Sequence, residues 1–296
     1  MRSQRKYLDP EVLARLSRLD LKARLVVEGF LSGLHQSPHK GFSQEFADYR
    51  QYIHGDEPRR IDWKVFARSD RFYIKEYQEE TNLRAYILLD KSGSMGYGDK
   101  ISKLEYAKYL CASLAYILFK QKDGVGIITF DKQINKYVPP SSRKMNYARI
   151  LDIIENSSSG GETSLAHVLY ELAQKTKRRG LVILISDLLD DPDAVIRALR
   201  SFRYRKHEIL VFQVLDRKER SFPFIDTALF FDLETNAELV IQPRAIRASY
   251  EKRMGQLINE YRRRMLEARI DCETIYTDTP YDKALLAFLQ KRARLL

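Results

Sequence analysis

The sequence predicts an α/β protein with a doubly wound, mostly parallel sheet, and three observations carry that prediction. From Leu83 onward, short apolar runs alternate with amphipathic helical patterns, the order that builds a parallel sheet. The first run, Tyr86–Leu89, is continuously apolar, as in strands buried on both faces. It delivers Asp90 to a Gly- and Ser-rich turn, and open α/β sheets bind their ligands in the crevice beyond such strand ends.

Taken in order, residues 1–31 read as helix, with Leu13, Leu16, Leu19, Leu21 and Leu25 as the apolar stripe, and Ser32–Lys40 reads as a loop. Residues 41–80 are dense in charges and aromatics. Phe72–Tyr77 alternates as exposed strands do, and His54–Pro58 has the composition of a turn. The expected organisation is an N-terminal extension over residues 1–80 and an α/β domain over residues 81–296. Leu83–Asp90 is the domain's first strand. The first helix starts near Asp99 or Ser102, since Ser102-Lys103-Leu104-Glu105 fits a capping box before a run in which Leu104, Ala107, Cys111, Leu114 and Leu118 share a face. Val125–Phe130 and Ile134–Val138 are strands joined so closely that they pair antiparallel. Asn146–Glu155 is a helix, and the Gly/Ser loop 156–163 opens another over Ser164–Lys175. Leu181–Ser186 is a strand ending in Asp187, and Pro192 after Asp191 marks a helix start. Ile209–Leu215 is a strand, residues 217–242 hold a β excursion, and Arg244–Ala268 is a long charged helix. Asp271–Tyr276 and Tyr281–Ala293 close the fold as strand and helix.

With 296 residues, 44% hydrophobic and 31% charged, the chain is globular and not disordered. No apolar leader follows Met1, and the longest apolar helix face, near Leu110–Phe119, falls short of the roughly 20 residues of a membrane span. A soluble, cytoplasmic protein without a membrane span is the expectation. Cys111 and Cys272 lie in apolar segments and read as free thiols in a reducing compartment. The net charge of +11 admits nucleic-acid binding. The basic residues are scattered, however, over Arg200–Lys206, Arg217–Arg220 and Arg262–Arg264, and a basic surface facing an acidic partner protein fits equally well.

Asp90, Ser92 and Ser94 put a carboxylate and two hydroxyls at alternate positions on one turn. That is a hard, oxygen-only donor set suited to magnesium, or to manganese or calcium. Thr163, on a Gly-rich loop at a helix start, and Asp187, at a strand end, converge on the same sheet edge. Asp90, Ser92, Ser94, Thr163 and Asp187 are therefore candidate metal ligands, with one position left open for an acidic side chain of a partner. In the other reading, Ser92 and Ser94 only bond the loop backbone. Lys91 is expected to point into solvent, and Asp190 and Asp191 to serve as helix-start residues.

The spacing Asp90-x-Ser92-x-Ser94, with Thr163 and Asp187 later, resembles the metal-ion-dependent adhesion site of von Willebrand factor A domains. The segment 41–80, with Glu45-Phe46, Arg50-x-Tyr52, Gly55-Asp56, Arg59-x-Ile61-Asp62-Trp63 and Ala67-Arg68, resembles the bacterial domain of unknown function 58 family. That family carries such a signature before a von Willebrand factor A-like domain. The resemblance implies a cytoplasmic, non-enzymatic interaction protein. It would bind magnesium at the five candidate ligands and act with a MoxR-type AAA+ ATPase or its client. Two features depart from the pattern: the β excursion, and Glu162 between the two glycines and Thr163. Arg50, Arg59 and Arg68 are candidate partner contacts. The alternative for this cluster is an ion network locking the N-terminal piece onto the sheet, with Trp63 as anchor.

Other chemistry finds less support. His35, His39 and His54 lack zinc spacing. Gly93-Ser94-Met95-Gly96 misses the G-x-S-x-G elbow, and His167 and His207 sit in a helix and at a strand start. A magnesium-dependent hydrolase or phosphotransferase is the enzymatic alternative. No nucleotide loop of the G-x-x-x-x-G-K-[ST] type occurs.

Overall fold

The computed structural model describes residues 19, 21, 23–28, 49–51, 73–75, 83–162, 164–226, 228–231, 233 and 238–293. The chain divides into two units, residues 34–82 in one and residues 1–33 with 83–296 in the other. The sequence reading joins residues 1–33 to the extension; the division places them with the α/β body instead. In the smaller unit β1 (Tyr49–Gln51) pairs antiparallel with β2 (Tyr73–Lys75), Arg50 opposite Ile74. Glu45, the turn at 54–58, Arg59, Asp62, Trp63, Arg68, His35 and His39 lie outside the described residues.

In the larger unit, residues 23–28 are helical. Leu19, Ala23, Val26 and Val27 are buried there at helical spacing. Leu21 is exposed, which corrects its place in the apolar stripe: two residues on from Leu19 it faces roughly 200° away.

The sheet follows the expected strand–helix alternation. Its strands are β3 (Arg84–Asp90), β4 (Gly124–Phe130), β5 (Ile134–Ser141), β6 (Leu181–Ser186), β7 (Glu208–Leu215) and, after a small β8–β9 sheet, β10 (Asp271–Tyr276). Their order is β10-β7-β6-β3-β4-β5, parallel throughout except for the β4–β5 pair. Numbered within the sheet this is 6-5-4-1-2-3, the doubly wound order, and its switch point lies between β3 and β6.

Helices cover both faces because successive strand residues point to opposite sides. The connections are α1 (Lys103–Lys120), α2 (Lys144–Glu155), α3 (Leu165–Lys175), α4 (Pro192–Tyr204), the short α5 (Arg217–Ser221), α6 (Pro243–Glu267) and α7 (Asp282–Ala293). Tyr86, Leu88, Ile128, Val182, Leu184 and Val211 form one core with Leu169 and Leu172 of α3, Leu199 and Phe202 of α4, and Tyr261 of α6. On the other face α1 packs against β3 and β4, and α7 against β7 and β10. The caps fall where the composition places them. Ser102 Oγ accepts from the Glu105 amide at 3.1 Å. Asp191 accepts from the Asp193 and Ala194 amides at the start of α4. No helix among the described residues is long and apolar enough to cross a membrane.

The excursion holds β8 (Ala228–Phe231) and β9 (Glu238–Ile241), an antiparallel pair separate from the main sheet. Phe230 stacks on Phe222 at 5.6 Å and meets Phe224 edge-on at 5.2 Å. Arg247 of α6 donates to the Phe222 and Phe224 carbonyls. Leu229, opposite Val240, and Phe231 on the same face are exposed.

His207 is buried at the amino end of β7, beside Tyr86 and Phe202, with Nε2 3.1 Å from the Thr176 carbonyl. Burial pushes its pKa below the ordinary value of roughly 6.5, so the unfolded chain takes up a proton first as the pH falls. Its contribution to stability is full above roughly pH 6.5 and is lost as pH falls from there to the folded-state pKa. Urea titrations across this range should show the advantage of wild type over His207→Gln shrinking toward acid. A difference that does not vary with pH would contradict the assignment.

Candidate functional site

β3 is buried along its length because β4 and β6 flank it and helices cover it, so the carboxylate at its end emerges already out of water. Asp90 is 1% exposed. Its Oδ1 accepts from the Ser92 amide at 2.9 Å, and its Oδ2 accepts from Ser186 Oγ at 2.6 Å. The turn then tightens into a short 3-10 segment over Gly93–Gly96. There the Ser92 and Ser94 hydroxyls face one another at 3.2 Å, which places them on one side of the turn. Gly160 donates to the Lys91 carbonyl at 3.1 Å, and Gly93 donates to the Gly161 carbonyl at 3.0 Å. The loop before α3 is thereby stitched to the Asp90 turn. Gly161 has φ +81°, a conformation that favours glycine. Thr163 lies outside the described residues.

Asp187 leaves the neighbouring strand β6 at the same edge and is also buried. Its Oδ1 accepts from the Leu189 amide at 3.2 Å, and its Oδ2 accepts from Lys103 Nζ at 2.8 Å. Lys103 is wholly buried in the first turn of α1 and donates also to Glu219 Oε1 at 2.5 Å. Glu219 Oε2 in turn accepts from the Asp216 amide at 2.9 Å, within the capping box that starts α5. An ion chain thus joins α1, β6 and α5.

Burial, and next the charge of Asp187, push the Asp90 carboxyl up to about 7. Burial alone would lower the Lys103 ammonium, but the two carboxylates more than offset it and hold it above its ordinary value. Burial raises Glu219 despite Lys103. With all groups ionised, Asp90, Asp187 and Glu219 set three negative charges against the one positive charge of Lys103. Uncompensated buried charge is costly. Uptake of a proton relieves part of this excess and a bound cation relieves it without protonation; the donors offered are oxygens, so the residues present fit a hard divalent cation. Among the described residues no three His, Cys, Asp or Glu side chains are gathered as a metal cage. The fit rests on carboxylates together with the Ser92 and Ser94 hydroxyls.

Of the five candidate ligands, Asp90, Ser92 and Ser94 share one turn and Asp187 stands on the adjoining strand. Lys91 corrects an expectation. It is not directed to solvent but pairs with Asp131 at 3.1 Å, because β4 ends beside β3 and puts Asp131 next to it. Asp190 Oδ2 accepts from the Ala166 amide in the first turn of α3. His167 is exposed on α3, and His207 sits at the opposite end of the sheet. Sequence reasoning missed Ser186, Lys103 and Glu219. Lys103 did carry a signal, since it stands four residues before Ala107 on the buried face of α1. Glu219 carried none beyond the capping box that begins at Asp216.

Fold and site define a doubly wound α/β protein with an oxygen-donor cluster at its switch point, von Willebrand factor A-like as the resemblance implies. The chain belongs to the family described as protein of unknown function DUF58, whose model matches residues 48–257. The uncharacterized protein Rv1480 of Mycobacterium tuberculosis is 25% identical over 292 residues, covering 97% of this chain and 91% of that protein. The uncharacterized protein YeaD of Bacillus subtilis is 26% identical over 97 residues, 33% of this chain and 23% of that one. Among solved structures, the conserved hypothetical protein BatB from Bacteroides thetaiotaomicron is 19% identical. It matches 72% of this chain and 98% of its own, with a TM-score of 0.50.

Lys103→Met removes the cation from between the buried Asp187 and the partly buried Glu219, and breaking a buried ion pair in this way costs roughly 3–5 kcal/mol. Urea unfolding of wild type and variant measures it. A loss under about 1 kcal/mol, typical of exposed pairs, would show that Asp187 and Glu219 do not depend on Lys103.

Proposed function

We propose that this protein is a non-enzymatic, metal-dependent interaction module acting in the cytoplasm. Asp90, Ser92, Ser94 and Thr163 would hold a magnesium ion. Asp187 already carries the Lys103 ammonium on Oδ2, whereas Asp90 has only neutral donors, which favours a contribution from Asp187 through water. When bound, the ion supplies a positive centre able to take an acidic side chain from a partner. The partner implied by the family resemblance is a MoxR-type AAA+ ATPase or its client, with Arg50, Arg59 and Arg68 as further contacts.

One observation carries this reading: Asp90 and Asp187 are buried together at the switch point, short of positive charge, with two hydroxyls facing one another beside them. Around them the chain's own groups bind and orient. Ser186 and the Ser92 amide fix the Asp90 carboxylate, and Lys103 fixes Asp187.

Magnesium added at a hundred times its dissociation constant should stabilise the wild type by about 2.7 kcal/mol, read as a rise in the melting temperature. Asp90→Ala should abolish the rise. Manganese in place of magnesium should give a bound-ion electron paramagnetic resonance signal that the variant lacks. In lysate, capture of an AAA+ ATPase should fail with chelator and with Asp90→Ala alike. Magnesium-dependent turnover of a phosphate or acyl ester would favour the enzymatic reading. Recovery of nucleic acid alone, released steeply by salt and indifferent to magnesium, would overturn the adaptor reading.

A further inference from the structure

The turn that carries Asp90 has a second neighbour. Lys91, between Asp90 and Ser92, lines a cavity of about 440 Å³, within the roughly 300–1,000 Å³ range of ligand clefts. The rest of its wall comes from the end of β4, the first residues of β5, and α2 with the turn after it. Three lining side chains are cations, Lys91, Lys136 and Arg149, and one is a carboxylate, Asp152. Asp152 accepts from Asn156 Nδ2 at 3.0 Å, and Lys91 is held by Asp131 at 3.1 Å. Lys136 and Arg149 have no ion-pair partner among the described residues.

Asn135, also in the wall, donates through Nδ2 to Asp131 Oδ2 at 3.0 Å, while its Oδ1 is buried without a hydrogen-bond partner. The cavity therefore offers two cations that pair with no carboxylate among the described residues. An acidic peptide brings several carboxylates on one segment, enough for these cations and for the neighbouring turn.

We propose that this cavity is the second half of a docking site for an acidic peptide segment of the partner. One carboxylate of the segment is seated by Lys136 and Arg149. A neighbouring carboxylate of the same segment reaches the ion at Asp90. The first contact rests on the cavity alone; the second rests on the function proposed above.

Fluorescence anisotropy tests it on the full chain, with a labelled Gly/Ser peptide carrying a short run of glutamates and its glutamine counterpart as probes. The glutamate peptide should bind in magnesium and the glutamine peptide should not. Lys136→Glu with Arg149→Glu should weaken binding roughly tenfold or more. The exposed pair Lys252→Glu with Arg253→Glu on α6 is the control for net charge, and equal weakening there would overturn the proposal. Binding that is lost with chelator or Asp90→Ala but survives reversal at Lys136 and Arg149 would also overturn it, leaving the ion reading intact. Binding lost on that reversal but indifferent to chelator and Asp90→Ala would uphold the cavity and remove the ion bridge. Displacement by inorganic phosphate as readily as by unlabelled glutamate peptide would replace the peptide with a small phosphate ligand.

Discussion

Two aspartates buried side by side where a sheet reverses its winding need positive charge, and much of the carboxyl edge is arranged around that need. β3 and β6 are neighbours in register, so their ends bring Asp90 and Asp187 together irrespective of the loops that follow. Coulomb interactions are strong there because both strands are screened from water on each face. Lys103 answers part of the need from the first turn of α1, and Glu219 orients that ammonium from α5. A buried lysine held by two carboxylates is a geometric constraint as much as a charge. It sets where α1 begins and where the turn after β7 can lie.

The cluster remains short of positive charge even with Lys103, and this is the physical basis for treating the edge as a site. A purely structural ion network would be expected to balance itself, since broken or incomplete buried pairs are costly. Here Asp90 is left to hydroxyl and amide donors, while the Lys91 ammonium, one residue on, is directed to Asp131. Lys136 and Arg149, on the far side of Lys91, have no ion-pair partner among the described residues. One flank of the turn is thus rich in oxygen acceptors and the other in cationic side chains, a division suited to a ligand that carries several carboxylates.

Much of this was legible in the chain. Continuous apolar runs marked β3 and β6, because strands covered on both faces have no need of polar alternation. The Ser102 and Asp191 caps and Pro192 marked helix starts, because they answer local backbone donors. The excursion announced itself as apolar runs outside the strand–helix alternation. Less legible were Lys91, whose partner Asp131 comes from a different strand, and Leu21, where leucine content was mistaken for helical phase. Ser186 was passed over because a serine before an aspartate has no local signature; its hydroxyl matters only through Asp90, 96 residues away.

The sequence by itself determined the class of fold, the strands that form its sheet, and the turn bearing Asp90, Ser92 and Ser94. Each of these follows from periodicity, capping or residue type within a few positions. Only the tertiary structure decided which charges meet: Lys103 with Asp187 and Glu219, Ser186 with Asp90, and Lys91 with Asp131. Pairings of that kind depend on strand order, which places residues far apart in the chain at one edge. Their strength depends on burial, which no local stretch of sequence records.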